Sequence, residues 1–376
     1  MQQSFKEKIK NLSPEQIRKL MAAKKGGTGN SNNSEAQKMP RNDAEIYPLS
    51  KAQERIWFLS QLTGSGTLYN IPIAIKLYET ISPQKIEIAL QRIVESNEIL
   101  RTTFHQEGGG LVQKIHPPYS FSVDFEDISY FDEAKKDGVL ENMAISHAAK
   151  TFNLEELPLL TVKLVKLNDQ EHVVLLNLHH IISDGWTNML LSIDTALYQD
   201  KAAQKQKPYA YIDFVKWEQD WLKTDAYKAQ LEFWKEALQG YEKTVHFPET
   251  TESSTFDDEG KLMTCNLPDS LLKQVTAFCA KENCTPFQFY FVCFSILASM
   301  YTGEDDIVIG TPVANRNQSQ FQETYGLFFN SLPMRFLVDV NQTFLEQLTN
   351  SVRRINDFMK RQQVPFTEII KVVNPK

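Results

Sequence analysis

Residues 171–190 read EHVVLLNLHHIISDGWTNML. Val173, Val174, Leu175, Leu176 and Leu178 form an apolar, β-branched run of the kind that makes a buried strand, and it leads directly into His179 and His180. Side chains alternate across a strand. His180 therefore shares a face with Val174, Leu176 and Leu178, while His179 points the other way with Leu175 and Asn177. Ser183, Asp184 and Gly185 make a turn, and Trp186, Met189, Leu190, Ile193 and Leu197 then recur at helical spacing. The unit is strand, His-His, tight turn, helix. Two ligands of one zinc ion on a single element need to share a face, and adjacent strand residues diverge, so no metal site is expected here.

The chain has 376 residues with 42% hydrophobic content, enough for a large core and too long for one ordinary domain, so two lobes are expected. A formal charge of -7 leaves no footprint for nucleic acid or an anionic membrane surface. Cys265, Cys279, Cys284 and Cys293 show no C-x-x-C spacing and read as reduced, mostly buried thiols of a cytoplasmic protein. The start, MQQSFKEKIKNL, has no signal-peptide core. The longest apolar run, residues 287–301, is too short to span a bilayer and reads as a buried helix.

Residues 1–43 stand apart: two short amphipathic helices split at Ser13-Pro14, then GGTGNSNNSEAQ as a flexible tether, together a linker or docking segment. The body opens with SKAQERIWFLSQL, a helix capped by Ser50 with Ala52, Ile56, Leu59 and Leu62 facing a core and Trp57 at its margin. A strand in 70–79, a helix capped by Ser82 and a hairpin turned at Gly108, Gly109 and Gly110 follow, then a strand over 161–167 and the His-His unit. Helical segments in 211–222 and 226–240, the latter stopped at Gly240, close the first lobe and open the second. The second lobe alternates again: a strand near 261–267, helices 270–282 and 286–300, strands at 307–313 and through 327–336, and a helix over 343–361. The boundaries expected are 1–43 for the linker, 44–222 for the first lobe and 223–376 for the second.

HHIISDGW at 179–186 resembles the His-His-x-x-x-Asp-Gly signature of the condensation domains of nonribosomal peptide synthetases, which are similar in fold to chloramphenicol acetyltransferase. Further motifs follow in the family's order from about residue 46 onward. SKAQERIWFL is similar to its opening motif, SNEILRTTF to the second, YIDFVKW to the fourth, YGLFFNSLPMR to the fifth and RQQVPFTEI to the sixth. The second motif departs from the family's Arg-His-Glu, with Ser96, Asn97 and Glu98 in its place. The seventh falls beyond Lys376, so the second lobe is expected to be C-terminally incomplete.

The resemblance implies an α/β protein of two layered lobes forming a pseudo-dimer with a central tunnel and the His-His motif at its middle. It implies an acyltransferase that joins an upstream acyl or peptidyl thioester to the amine of a downstream aminoacyl thioester. Both substrates would ride on the phosphopantetheine of carrier proteins, with no cofactor bound by the domain itself. The partners implied are an upstream donor carrier, expected on a separate polypeptide docking at residues 1–25, and a downstream acceptor carrier with its adenylation domain. DGW followed by Thr187 is similar to domains taking an L-configured or simple acyl donor. The alternative is a silent condensation-like module that recruits carriers or tailoring enzymes; such modules degrade the His-His motif, which is intact here.

By the same resemblance His180 acts on the amine, while His179, on the opposite face of the strand, reads as structural. Asp184 suits an N-cap and, in the family pattern, also pairs with an arginine of the second lobe, for which Arg316 in GTPVANRN is the match. Gly185 leaves space for a pantetheine arm or supplies a backbone N–H. Trp186, Asn330 and Ser331 are substrate-channel candidates, and Asn330 and Ser331 equally suit strand-end groups that satisfy the backbone.

Overall fold

A computed structural model of the chain describes residues 38–40, 45–63, 66–197, 209–241 and 263–374. The docking segment expected at 1–25 and the tether that follows it lie outside the described residues. Contacts divide the chain into two units: Met1–Asp220 with Arg316–Phe328, and Trp221–Asn315 with Phe329–Lys376. Arg316, expected in the second lobe, therefore packs with the first unit.

The first unit runs β1 (Ile46–Pro48), α1 (Lys51–Thr63), β2 (Asn70–Leu77), α2 (Pro83–Ser96), β3 (Thr102–Glu107), β4 (Gly110–Ile115), β5 (Asp124–Asp127), α3 (Glu133–Ala148), β6 (Leu160–Asn168), β7 (Glu171–His179), α4 (Gly185–Leu197) and α5 (Tyr211–Trp221). β5 and α3 are additions to the elements read from sequence. The hairpin β3–β4 turns through Gly108 and Gly109, whose φ of 58° and 80° is the left-handed pair that a two-residue turn needs. β4 carries β1 on its other edge.

The second sheet has the order β2-β7-β6-β5, with only β5 parallel to its neighbour. β7 lies inside it, Asn70 opposite His179 on one side and Leu160 opposite Leu178 on the other. His172 to His179 are all buried, which explains why the sequence is apolar without alternation. Val173 and Leu175 pack with Ile128, Val165 and Leu167 under Val139, Leu140, Met143 and Ala144 of α3. Asn177 faces the same helix and donates to the carbonyls of His147 and Ala148. In α1 the expected core face is only partly realised. Ile56 is buried, but Leu62 is 65% exposed and the polar Gln53 is fully buried.

The second unit runs α6 (Asp225–Leu238), α7 (Asp269–Lys281), α8 (Pro286–Thr302), β8 (Asp306–Val313), β9 (Asn330–Leu337), α9 (Phe344–Met359) and α10 (Phe366–Val373). Its core gathers Trp234, Val292, Leu332, Met334, Phe336, Leu348, Ile355 and Phe358 around the antiparallel pair β8–β9. The strand expected near 261–267 does not form over 263–268, and residues 261–262 lie outside the described range. α8 is not the buried helix expected: Phe291, Val292, Ser295 and Ala298 face inward, while Phe287, Phe294, Leu297 and Tyr301 are exposed. The thiols are free, yet Cys279 alone is buried and Cys265 is exposed, so the expectation of mostly buried cysteines is corrected. Among the described residues no single helix is long and apolar enough to cross a membrane.

Candidate active site

β7 ends at His179, and one 3₁₀ turn, His180–Ile182, carries the chain to Ser183 and into α4. The two imidazoles then sit in different surroundings. His179 is 4% exposed, with its ring beside those of Tyr69 and Phe152. Its Nδ1 accepts the N–H of Ile181 at 3.2 Å and so opens the turn. Burial, with a smaller contribution from His180, pulls its pKa down to about 4, so the ring stays neutral.

His180 is half-buried, and its backbone N–H donates to Tyr69 O at 2.8 Å. Its Nδ1 lies 2.8 Å from Ser183 O. A carbonyl oxygen can only accept, so Nδ1 carries a proton, and in the neutral ring the lone pair is then on Nε2. The turn thus fixes the tautomer. Ser183 N closes it by donating to His180 O at 3.2 Å.

Asp184 caps α4 and holds the segment 316–328 in the same act. Its Oδ1 accepts Thr187 N at 2.7 Å, its Oδ2 accepts Phe328 N at 3.0 Å, and Arg316 Nη2 donates to both oxygens at 3.2 and 3.4 Å. Both side chains of this ion pair are 3% exposed. Arg316 Nη1 is taken by the carbonyls of Phe321 and Thr324, and the guanidinium lies 3.9 Å over the Phe328 ring. A desolvated guanidinium is tolerable only when so many acceptors surround it. Thr187 adds a reciprocal clamp: its hydroxyl donates to Gly326 O at 2.9 Å and accepts Gly326 N at 3.1 Å.

Three further residues, the touching pair Tyr211 and Gly326 and then Gln53, are absent from the sequence-derived site. Tyr211 is fully enclosed; burial pushes its hydroxyl well above the ordinary phenol range, and it donates to Leu327 O while meeting Ser50 Oγ at 2.8 Å. Gly326 sits at φ 145°, and a Cβ there would lie 1.9 Å from the Tyr211 ring, so no other residue fits without displacing Tyr211. Gln53 is the third, and its signal in the sequence is the Ser-x-x-Gln spacing of a capping box.

The remaining candidates separate. A Cβ on Gly185 would meet nothing within 4 Å, so the turn leaves open space at the first residue of α4. Trp186 donates through Nε1 to Gln322 O at 2.9 Å and anchors the same segment that Arg316 holds. Asn330 and Ser331 belong to the second unit. Asn330 is buried, donates to Gln362 O and Val364 O at 2.9 and 2.7 Å, and accepts Phe366 N at 3.0 Å. Its amide thus ties the start of β9 to the loop before α10. Ser331 stands opposite Pro312 in the β8–β9 pair.

A family model described as "Condensation domain" matches residues 43–376. One of the linear gramicidin synthase proteins of Brevibacillus parabrevis is 33% identical over 339 residues, which cover 88% of this chain and 4% of that protein. The chain therefore spans a small fraction of the length of such a relative. The X-domain from teicoplanin biosynthesis superposes with a TM-score of 0.80 at 20% identity, over 91% of this chain and 76% of that one. The condensation domain of the monacolin K polyketide synthase MokA does so at 0.77 and 19%, over 88% and 76%. Both likenesses show a shared, mixed α/β fold.

Proposed function

The chain belongs to the condensation-domain family, and from that membership we propose that it forms an amide bond between two carrier-bound thioesters. The donor is an acyl or peptidyl group on an upstream carrier protein, which residues 1–25 help to dock. The acceptor is an aminoacyl group on a downstream carrier loaded by an adenylation domain. Both hang on phosphopantetheine, and the work is cytoplasmic.

The observation that carries this reading is the 2.8 Å contact between His180 Nδ1 and Ser183 O. With Nδ1–H committed to Ser183 O, Nε2 can accept a proton from the attacking amine. The amine lone pair attacks the donor carbonyl carbon, Nε2 takes or hydrogen-bonds the proton of the developing ammonium, and the C–S bond breaks as the carrier thiolate leaves and is reprotonated. An α-amino group near pKa ~8 is already partly free at neutral pH, so His180 assists the step and is not its sole driver. Positioning of two tethered reactants supplies up to about 7–11 kcal/mol in favourable cases, and a placed base adds roughly 10²- to 10⁴-fold. Open space at Gly185 suits the passage of a narrow pantetheine arm past the turn. His179, Asp184 and Arg316 act on architecture.

The test is His180→Ala with donor and acceptor carriers both loaded and the product followed by mass spectrometry. At least a 10²-fold loss with an unchanged melting temperature is expected. Undiminished turnover by the variant removes His180 from the chemistry, and absence of turnover by the unmodified protein points to a module that only recruits partners.

A further inference from the structure

We propose that Gln53 is a positioning residue for His180, holding the 3₁₀ turn in the register that fixes the imidazole tautomer; this rests on the amide-forming reading above. Gln53 lies in the first turn of α1, where an exposed polar residue would be unremarkable, yet it is 0% exposed. A buried primary amide needs partners on both its oxygen and its nitrogen.

The oxygen has two donors, Ser50 N at the helix start and, at 3.5 Å, Gln113 Nε2 of β4. Gln53 Oε1 accepts Ser50 N at 3.1 Å while Gln53 N donates to Ser50 Oγ at 3.1 Å, a reciprocal box that satisfies two orphan donors at the helix start. That box fixes the side-chain rotamer and so aims Nε2. It points at Ile181 O, 3.5 Å away and 128 residues along the chain. Ile181 follows His180 directly, and its own N–H is the group received by His179 Nδ1. The neighbouring turn carbonyls are used within the turn and helix: His180 O by Ser183 N, Ser183 O by His180 Nδ1, Asp184 O by Asn188 N. Ile181 O, by contrast, faces a donor from a distant element of the described residues.

The choice of residue is informative. Glutamate closes a capping box as well as glutamine does. It has no donor for Ile181 O when ionised, and would set a carboxylate oxygen against a carbonyl oxygen. Glutamine meets both demands. The cap alone does not require it.

Gln53→Glu separates the two roles, because it keeps the capping oxygen and makes the donor pH-dependent. A buried carboxyl titrates above its ordinary range, and while protonated it can donate to Ile181 O. The activity of Q53E relative to the unmodified protein should therefore fall about 10- to 100-fold as pH rises from 6 to 8.5, by analogy with the loss of partners that orient metal-ligating histidines. The ¹⁵N shifts of His180 in the labelled full chain should move from protonated Nδ1 toward a tautomer mixture over the same interval. Gln53→Met, which lacks both functions, should show the mixed tautomer at every pH. A constant activity ratio together with an unchanged His180 tautomer in both variants, even with lowered melting temperatures, overturns the proposal and leaves Gln53 as a helix cap. The tautomer measurement needs no substrate, so a protein that forms no amide would refute the proposed function and still decide the role of Gln53.

Discussion

Removing the Asp184 carboxylate should loosen the architecture of the site as well as silence it, and the expected size follows from its contacts. Asp184→Ala deletes the cap on α4, a loss of about 1 kcal/mol. It orphans the buried N–H of Phe328, roughly 1–3 kcal/mol. It also leaves the Arg316 guanidinium, 3% exposed, without its counter-charge, the situation that costs about 3–5 kcal/mol when one partner of a buried pair is removed. These effects overlap, because Arg316 keeps Phe321 O, Thr324 O and Thr187 Oγ1. A total of about 3–5 kcal/mol is therefore expected, or a fall in melting temperature of roughly 6–20 °C for a body of this size. Thermal and urea unfolding followed by circular dichroism measure it. Adding Arg316→Met removes the stranded charge, so the double variant should be more stable than Asp184→Ala alone. A melting temperature within about 1 °C of the unmodified protein, with activity lost, would refute this reasoning and make Asp184 a participant in the reaction.

Two more variants probe other parts of the same network. The folded state accepts only neutral His179, so it binds fewer protons than the unfolded chain between the ordinary imidazole value of 6.5 and about 4. Stability should be complete above pH 6.5 and decline by about 1.36 kcal/mol per unit as pH falls, ~3 kcal/mol in all, and His179→Asn, which keeps an acceptor near Nδ1, should lose that part of the decline; parallel stability–pH curves would exclude His179 as its source. Gly326→Ala forces a Cβ against the Tyr211 ring at 1.9 Å from a backbone conformation L-residues avoid, so a loss of about 3 kcal/mol or more is expected in urea titrations. A neutral outcome would mean that the 316–328 segment repacks at no cost.

The parts of this molecule legible in its sequence are those whose signals are local. β7 announces itself by a run of β-branched and leucyl residues, and its burial on both faces is why the run does not alternate. The partner of Asp184 lies 132 residues away, and nothing in periodicity or spacing selects Arg316; the resemblance to a known motif did so. Gln53 is hidden because composition marks a glutamine as a surface residue, while its distant partners Ile181 and Gln113 leave no local signal. Leu62 departs in the opposite direction: it continues the helical stripe of α1 yet is exposed. In α3 the apolar face is broken by Gly138 and the charged residues 135–137, leaving too short a stripe to announce the helix.

The excursion of residues 316–328 out of the second unit and into the first bears on how such genes can be recombined. The first unit is not one contiguous stretch of coding sequence: it is residues up to Asp220 plus an island of thirteen codons, Arg316–Phe328, set inside the other. A splice at residue 220 would therefore hand Asp184, Thr187 and Tyr211 a foreign island, and the hybrid would inherit whatever mismatch lies between them. Compatible hybrids require the island to travel with the upstream half, as a double crossover and not a single one. The bonds from Asp184 to Arg316 and from Thr187 to Gly326 thus tie together positions that recombination would otherwise shuffle freely.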